Sequence, residues 1–240
     1  NLDANKVLAH IFCLTPGHKS EPNVWYAGTS PQGLFKTEDF GETWQGIETF
    51  NNHSKMKEWC SNSSSSSLKY EKIHSIMVHP HNPKSLVIGM ASGGVFESMD
   101  GGDSWLPMNE GIKKLYNKNT KIGTDPHLVL QHPSNPEIIY QQNQSGVFRL
   151  DISERVWKHI GSGIDMGDIG FSLCLHPYNP NTLWIFPMAG TDIWSRVCNG
   201  GQPAVYCSQD AGDTWFRQDI GFPMWHAWYT VVNKAMTSDS

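Results

Sequence analysis

The chain has 240 residues, a formal net charge of −5 and 38% hydrophobic residues. The acidic balance argues against a nucleic-acid partner, which would need a basic face. The longest apolar runs have only the length of a strand, so none would cross a bilayer as a helix. Five cysteines without paired spacing define neither a disulfide framework nor a zinc knuckle.

In chain order, the first apolar run is residues 10–16, ending in a proline turn. A second strand follows at 24–28, then a glycine turn and a third strand at 33–36. Residues 37–44 read TEDFGETW. A long polar loop, 45–72, contains the serine run 63–67. The same order then repeats: 74–80, 86–90, 94–97, and SMDGGDSW at 98–105. A third copy runs through 127–133, 138–142 and 146–149, and its phrase decays to a terminal Trp157. A fourth opens at 171–177 and carries SQDAGDTW at 208–215. A long loop at 187–203 holds Asp192, Trp194 and Arg196. Tyr229, Thr230, Val231 and Val232 are expected to open a fifth copy.

Short β-branched and aromatic runs between Gly, Pro and Asn are strand signals, and no segment keeps a helical period. Each unit therefore reads as four short strands. Units of four strands recurring at a fixed period predict an all-β, β-propeller fold of about four blades, at roughly 10–48, 74–110, 127–161 and 171–220. The start of a fifth blade is expected at 229–240. The shared phrase [Ser/Thr]-x-Asp-x-Gly-x-[Thr/Ser]-Trp is explained by turn chemistry. The Asp oxygens can cap backbone N–H groups of their own loop, and Gly41, Gly102 and Gly212 can take positive φ. The Trp is expected to bury its ring between blades. Cys13 and Cys174 read as core residues, Cys198 and Cys207 as able to pair, and Cys60 as left over.

These phrases resemble the Asp-box, or BNR repeat, of sialidase-type propellers. Together with the runs EPNVWYAGT at 21–29, Glu58-Trp59, His74-Ser75-Ile76, Tyr140-Gln141-Gln142-Asn143 and Gly170-Phe171, they make the chain similar to bacterial BNR-repeat proteins labelled glycosyl hydrolases. The resemblance implies part of a six- or seven-bladed ring, with a four- to five-bladed ring as the alternative. It implies a bacterial protein, cytoplasmic or secreted, with a site where loops lead into the first strand of each blade, at the mouth of the central channel.

That placement selects candidates. His10, His74 and His127 begin three successive first strands and are expected to share one rim. Three readings stand. They cap strands; or they hold a divalent metal such as zinc or manganese, since three imidazoles with an open position suit it; or they line a substrate site. Glu71, Asp125 and Asp168, just ahead of those strands, are the candidate catalytic carboxylates of a glycoside hydrolase. His53, Trp59, Gln144, Arg196 and Trp228 are the candidate ligand-binding residues, Trp59 and Trp228 by stacking on a sugar face. Gln144 stands where the similar proteins carry His. An ordinary sialidase needs three arginines for its substrate carboxylate. Of Arg149, Arg155, Arg196 and Arg217, only Arg196 falls on a suitable loop, so that activity is not expected. The expected function is a hydrolase or ligand site for a polar, glycan-like molecule. The alternative is a non-catalytic propeller that binds or assembles protein partners.

Overall fold

The computed structural model describes residues 10–60, 71–112, 125–165, 167–188 and 196–239. The serine run 63–67, Asp192 and Trp194 lie outside the described residues. The chain forms two compact units, each with two four-stranded antiparallel sheets. In the first unit, β1 (His10–Pro16), β2 (Trp25–Ser30), β3 (Gly33–Thr37) and β4 (Gln45–Gly46) pair in sequence order. Two one-turn helices, α1 (Glu48–Asn51) and α2 (Met56–Trp59), follow in the long loop. The unit's second sheet is β5 (Ile73–Val78), β6 (Leu86–Met90), β7 (Gly94–Ser98) and β8 (Leu106–Pro107). The second unit holds β9 (Pro126–Gln131), β10 (Ile138–Asn143), β11 (Gly146–Asp151) and β12 (Lys158–His159). Its other sheet is β13 (Gly170–Leu175), β14 (Leu183–Pro187), β15 (Val205–Ser208) and β16 (Phe216–Gln218).

Each unit buries its own core between its two sheets. Phe50, Trp59, Phe96 and Trp105 lie at the centre of the first, with ring centroids 5.9 Å apart for Phe50–Trp59 and 5.1 Å for Phe50–Trp105. Leu128, Tyr140, Val147, Leu173, Ile185 and Tyr206 fill the second. The strands are short because turn residues stop them, so apolar burial between sheets, rather than ladder length, carries the fold.

The repeated phrase forms one turn three times. Asp39 Oδ1 accepts from Thr43 N at 2.9 Å, and Asp39 Oδ2 accepts from Thr43 Oγ1 at 2.6 Å. Asp100 with Ser104, and Asp210 with Thr214, repeat both bonds. The residue opening each phrase accepts from the turn glycine: Gly41 N reaches Thr37 Oγ1 at 3.0 Å, and Gly102 N reaches Ser98 Oγ at 2.8 Å. Gly41 has φ +94°, and Gly102 and Gly212 have φ +101°, conformations a side chain would strain. The tryptophans divide. Trp105 is buried, with Nε1 donating to Gly102 O at 3.1 Å. Trp215 Nε1 donates to Ile160 O at 2.6 Å, just after β12, so it crosses to the preceding sheet as expected. Trp44 is 39% exposed and bonds only within its own turn, to Gly41 O. In the third sheet Asp151 takes over a shorter turn, accepting from Ser153 N and Oγ.

Two expectations are corrected. No strand forms at 229–232. The backbone there is irregular and lies across the second unit, where the Asn233 side chain donates to His127 O and Ser238 Oγ donates to Leu175 O at 2.9 Å. Val231 and Met236 pack instead beside Phe186 and Met188. Cys198 and Cys207 do not pair: none of the five cysteines forms a disulfide, and each is buried.

The turn aspartates set an acid limit. Hydrogen bonds from Thr37 and then Thr43 hold the Asp39 carboxyl at about 2, and those from Ser104 and then Ser98 hold Asp100 at about 2. A carboxylate depressed in the folded state contributes stability that is present above its ordinary value of about 3.9 and is lost as pH falls through the folded value. The melting temperature should therefore drop between about pH 4 and about pH 2. An Asp100→Asn variant should show a shallower drop, measured by thermal denaturation across that window.

Candidate functional site

Strand register decides which residues are equivalent, and it separates His10 from the other two histidines. In β1, β5 and β9 a bulge interrupts pairing with the next strand. Ile11 pairs with Thr29, Ile73 with Met90 and Pro126 with Asn143. The next residue in each case is the unpaired one: Phe12, His74 and His127. In β13 Gly170 pairs with Pro187 and Phe171 follows. The repeated position thus reads Phe12, His74, His127, Phe171. His10 sits one residue earlier, is exposed, and touches Phe12 edge-on at 6.3 Å. A bulge adds one residue and re-aims the side chains around it, which counting from the start of the apolar runs does not register. His74 is 2% exposed, with Nδ1 2.9 Å from Ser75 Oγ. His127 is 5% exposed; its Nδ1 donates to Gly170 O at 2.6 Å and its ring stacks on Phe171 at 4.1 Å. Among the described residues no three His, Cys, Asp or Glu side chains gather closely enough to hold a metal ion. The expected zinc or manganese finds no ligand set there.

In the first unit the selected residues do structural work. Trp59 is 1% exposed, between His53 at 4.1 Å and Phe96 at 4.5 Å, so it offers no free face for a sugar. His53 covers Trp59; loss of hydration, then Lys55, pushes its imidazole down. Glu71 is buried beside Cys60, where burial and then the Glu71 carboxyl push the thiol up. Asp125 accepts from Ser92 N at 2.9 Å, tying down the β6–β7 turn at a residue with φ +62°.

The second unit contains a stretch that breaks the repeat. Where β2 has Ala27, Gly28, Thr29 and Ser30, and β6 with its turn has Ile88, Gly89, Met90 and Ala91, β10 and its turn carry Gln141, Gln142, Asn143 and Gln144. All four are buried. Gly28 leaves no room for a side chain: a Cβ there would lie 2.6 Å from Ile73 O. At the corresponding place β10 carries Gln142, and Gly170 takes the position of Ile73; a Cβ there would lie 3.4 Å from Gln142 Cδ, an ordinary contact. Asn143 Nδ2 donates to Gln141 Oε1 at 2.9 Å, and Gln142 Nε2 donates to Asp168 O at 2.6 Å. Gln141 Nε2, Gln142 Oε1 and Gln144 Oε1 have no hydrogen-bond partner among the described residues.

Asp168 is best understood through its counterparts. In the first sheet Asn51 Oδ1 accepts from Leu34 N at 2.8 Å, and in the second Asn109 Oδ1 accepts from Val95 N at 2.8 Å. In the third, Asp168 Oδ2 accepts from Val147 N at 2.9 Å. All three clamp the loop after the fourth strand onto the start of the third. Only Asp168 brings a charge. Facing it, His159 Nε2 lies 2.7 Å from Asp168 Oδ2, at the strand position where the other sheets have Gly46 and Pro107. The His159–Asp168 pair, Gln141 and Gln142 were not selected from sequence, although the run of amides replacing Gly and aliphatic residues was visible in the repeat alignment.

Arg196 is exposed and its guanidinium lies 4.8 Å over Phe171, whose ring also stacks on His127. Trp228 is 57% exposed, its ring placed 3.1 Å from where a Cβ on Gly201 would be. Of the candidates, Gln144, Asp168, Arg196, Trp228 and His127 belong to the second unit.

Solved structures similar to this chain include a GH74 enzyme from Niastella koreensis (18% identity, TM-score 0.57, covering 82% of this chain and 28% of that one). Another is the GH74 xyloglucanase from Xanthomonas campestris (15%, 0.61, 88% and 30%). YCF48 from Cyanidioschyzon merolae is a third (14%, 0.52, 93% and 62%). At these identities the likeness shows the fold, a β-propeller. The chain spans less than a third of the length of the two GH74 structures. No protein-family signature matches it, and no curated protein does.

Glycine seats Asp168. A Cβ on Gly161 would lie 1.8 Å from Asp168 Oδ2. Gly161→Ala should therefore displace the clamp and lower stability by about 1–3 kcal/mol, the usual cost of overpacking. Denaturant unfolding measures it.

Proposed function

We propose that the protein is a ligand-binding propeller of the Asp-box kind. Its site lies at the end of the third sheet and takes a polar, glycan-like molecule. One observation carries this reading: where the first two sheets have small or aliphatic residues, the third holds four buried amides, three with a polar atom that has no partner among the described residues. A buried amide atom without a partner costs about 1–3 kcal/mol. A fold that elsewhere fills the same place with Gly28 and Gly89 does not need that cost for stability. A hydroxyl-rich ligand supplies the missing donors and acceptors, while Trp228 offers an exposed ring and Arg196 an exposed guanidinium with no hydrogen-bond or ion-pair partner among the described residues.

Binding is a better reading than hydrolysis. Glycosidic cleavage needs two carboxylates free to act across one bond. Here Glu71 is buried against a thiol, Asp125 holds a backbone N–H and Asp168 holds another. The GH74 neighbours make a xyloglucan oligosaccharide the first probe.

Calorimetric titration should show the oligosaccharide binding to the wild type. Gln144→Met should weaken it roughly tenfold, the loss of one or two buried hydrogen bonds, with an unchanged melting temperature. Absence of binding to the wild type at millimolar sugar would sink the glycan reading and leave a protein partner as the occupant.

A further inference from the structure

We propose that His159 and Asp168 form a protonation-gated clamp that positions Gln142 for the ligand. The inference rests on the reading above that the amide run faces the bound molecule, and it adds a control on that site. Three sheets use the same device to hold a loop onto the start of the third strand, and two of them use a neutral Asn with Gly46 or Pro107 opposite. The third changes both partners together, to Asp168 and His159. A neutral amide already suffices to cap the N–H, so the charge and its imidazole partner are additional to the structural need.

The pair is well isolated. Among the described residues, His159 has no hydrogen-bond or ion-pair partner except Asp168. Phe148 meets its ring edge-on at 5.2 Å. Nearby charges are engaged elsewhere: Lys158 with Glu154 at 2.6 Å, and Asp165 with the Tyr206 hydroxyl. Asp168 bonds to Val147 N and His159 through its side chain and to Gln142 Nε2 through its carbonyl oxygen. It is 15% exposed and His159 39%, so protons reach the pair from solvent.

The sign follows from the charges. When His159 is protonated, an imidazolium faces a carboxylate and the clamp is tight; when it is neutral, that attraction is lost and one ordinary hydrogen bond remains. Asp168 then moves more freely, and so does the Gln142 amide that its carbonyl holds. Asp168 is a positioning residue here: it acts on the ligand through Gln142.

The test compares wild type, Asp168→Asn and His159→Gln. Asp168→Asn recreates the neutral clamp of Asn51 and Asn109, so it keeps the fold. The first readout needs no ligand: hydrogen exchange at the Val147 amide, normalised for intrinsic rate, between about pH 5.5 and about pH 8. Wild-type protection should fall roughly two- to fivefold across that range, the worth of a partly exposed ion pair, and both variants should be flat. A flat wild type, or an unchanged pH response in Asp168→Asn, overturns the clamp. The second readout is affinity for a xyloglucan oligosaccharide over the same range. It should weaken in parallel in the wild type and not in Asp168→Asn. Gated exchange with pH-independent affinity overturns the positioning role. Gated exchange with no binding at any pH supports the clamp and removes the proposed ligand instead.

Discussion

The constraint on which the structure depends is that every short strand must end without leaving a backbone N–H unmet. Strands of two to seven residues have as much end as middle. A buried, unpaired N–H would cancel much of what the adjoining hydrophobic contacts provide. The protein meets the problem with side-chain oxygens at both ends of its third strands. At one end the repeated Asp folds the turn onto itself. At the other, Asn51, Asn109 and Asp168 reach back from the following loop to the N–H of Leu34, Val95 and Val147. Turn and clamp fix where each sheet stops, and so where each loop begins.

A repeat built this way contains its own control. Positions doing only structural work are constrained in the same manner in each copy, and the copies share a solution. Gly28 and Gly89 are equivalent, and so are Asn51 and Asn109. The third sheet departs from that solution at Gln141, Gln142, Gln144, Asp168 and His159, all at one end. Gln141 and Gln142 bring amides where the first two sheets have Ala27, Gly28, Ile88 and Gly89, and Asp168 and His159 bring ionisable groups where those sheets have Asn, Gly or Pro.

The same comparison moves the candidate carboxylates toward structure. Their position before the first strand of each sheet is where catalytic groups of such folds are expected, yet that position is also where loops must be fastened. Asp125 and Asp168 each spend an oxygen on a backbone N–H, and Glu71 is enclosed with Cys60. Loops on a rigid scaffold carry function only where something beyond the fastening remains. Here that remainder is the set of unmet amide atoms, the guanidinium over Phe171 and the His159 imidazole.

The sequence by itself determined the all-β architecture, the four strand quartets and the turn made by each Asp phrase. These are local matters: strand length, glycine φ and side-chain capping act within a few residues, and a repeat states them several times. It did not determine which residues are equivalent across copies, because a bulge shifts the register by one and exchanges Phe12 for His10. Nor could it show that Trp59 is covered by His53 and Phe96, that Tyr229 to Val232 fail to pair as a strand, or that His159 meets Asp168. Those outcomes depend on which side chains arrive from separate loops, and only the packed chain decides that. A strand-like sequence forms a strand only where an unpaired edge accepts it, and a carboxylate becomes a clamp only where an N–H lies within reach.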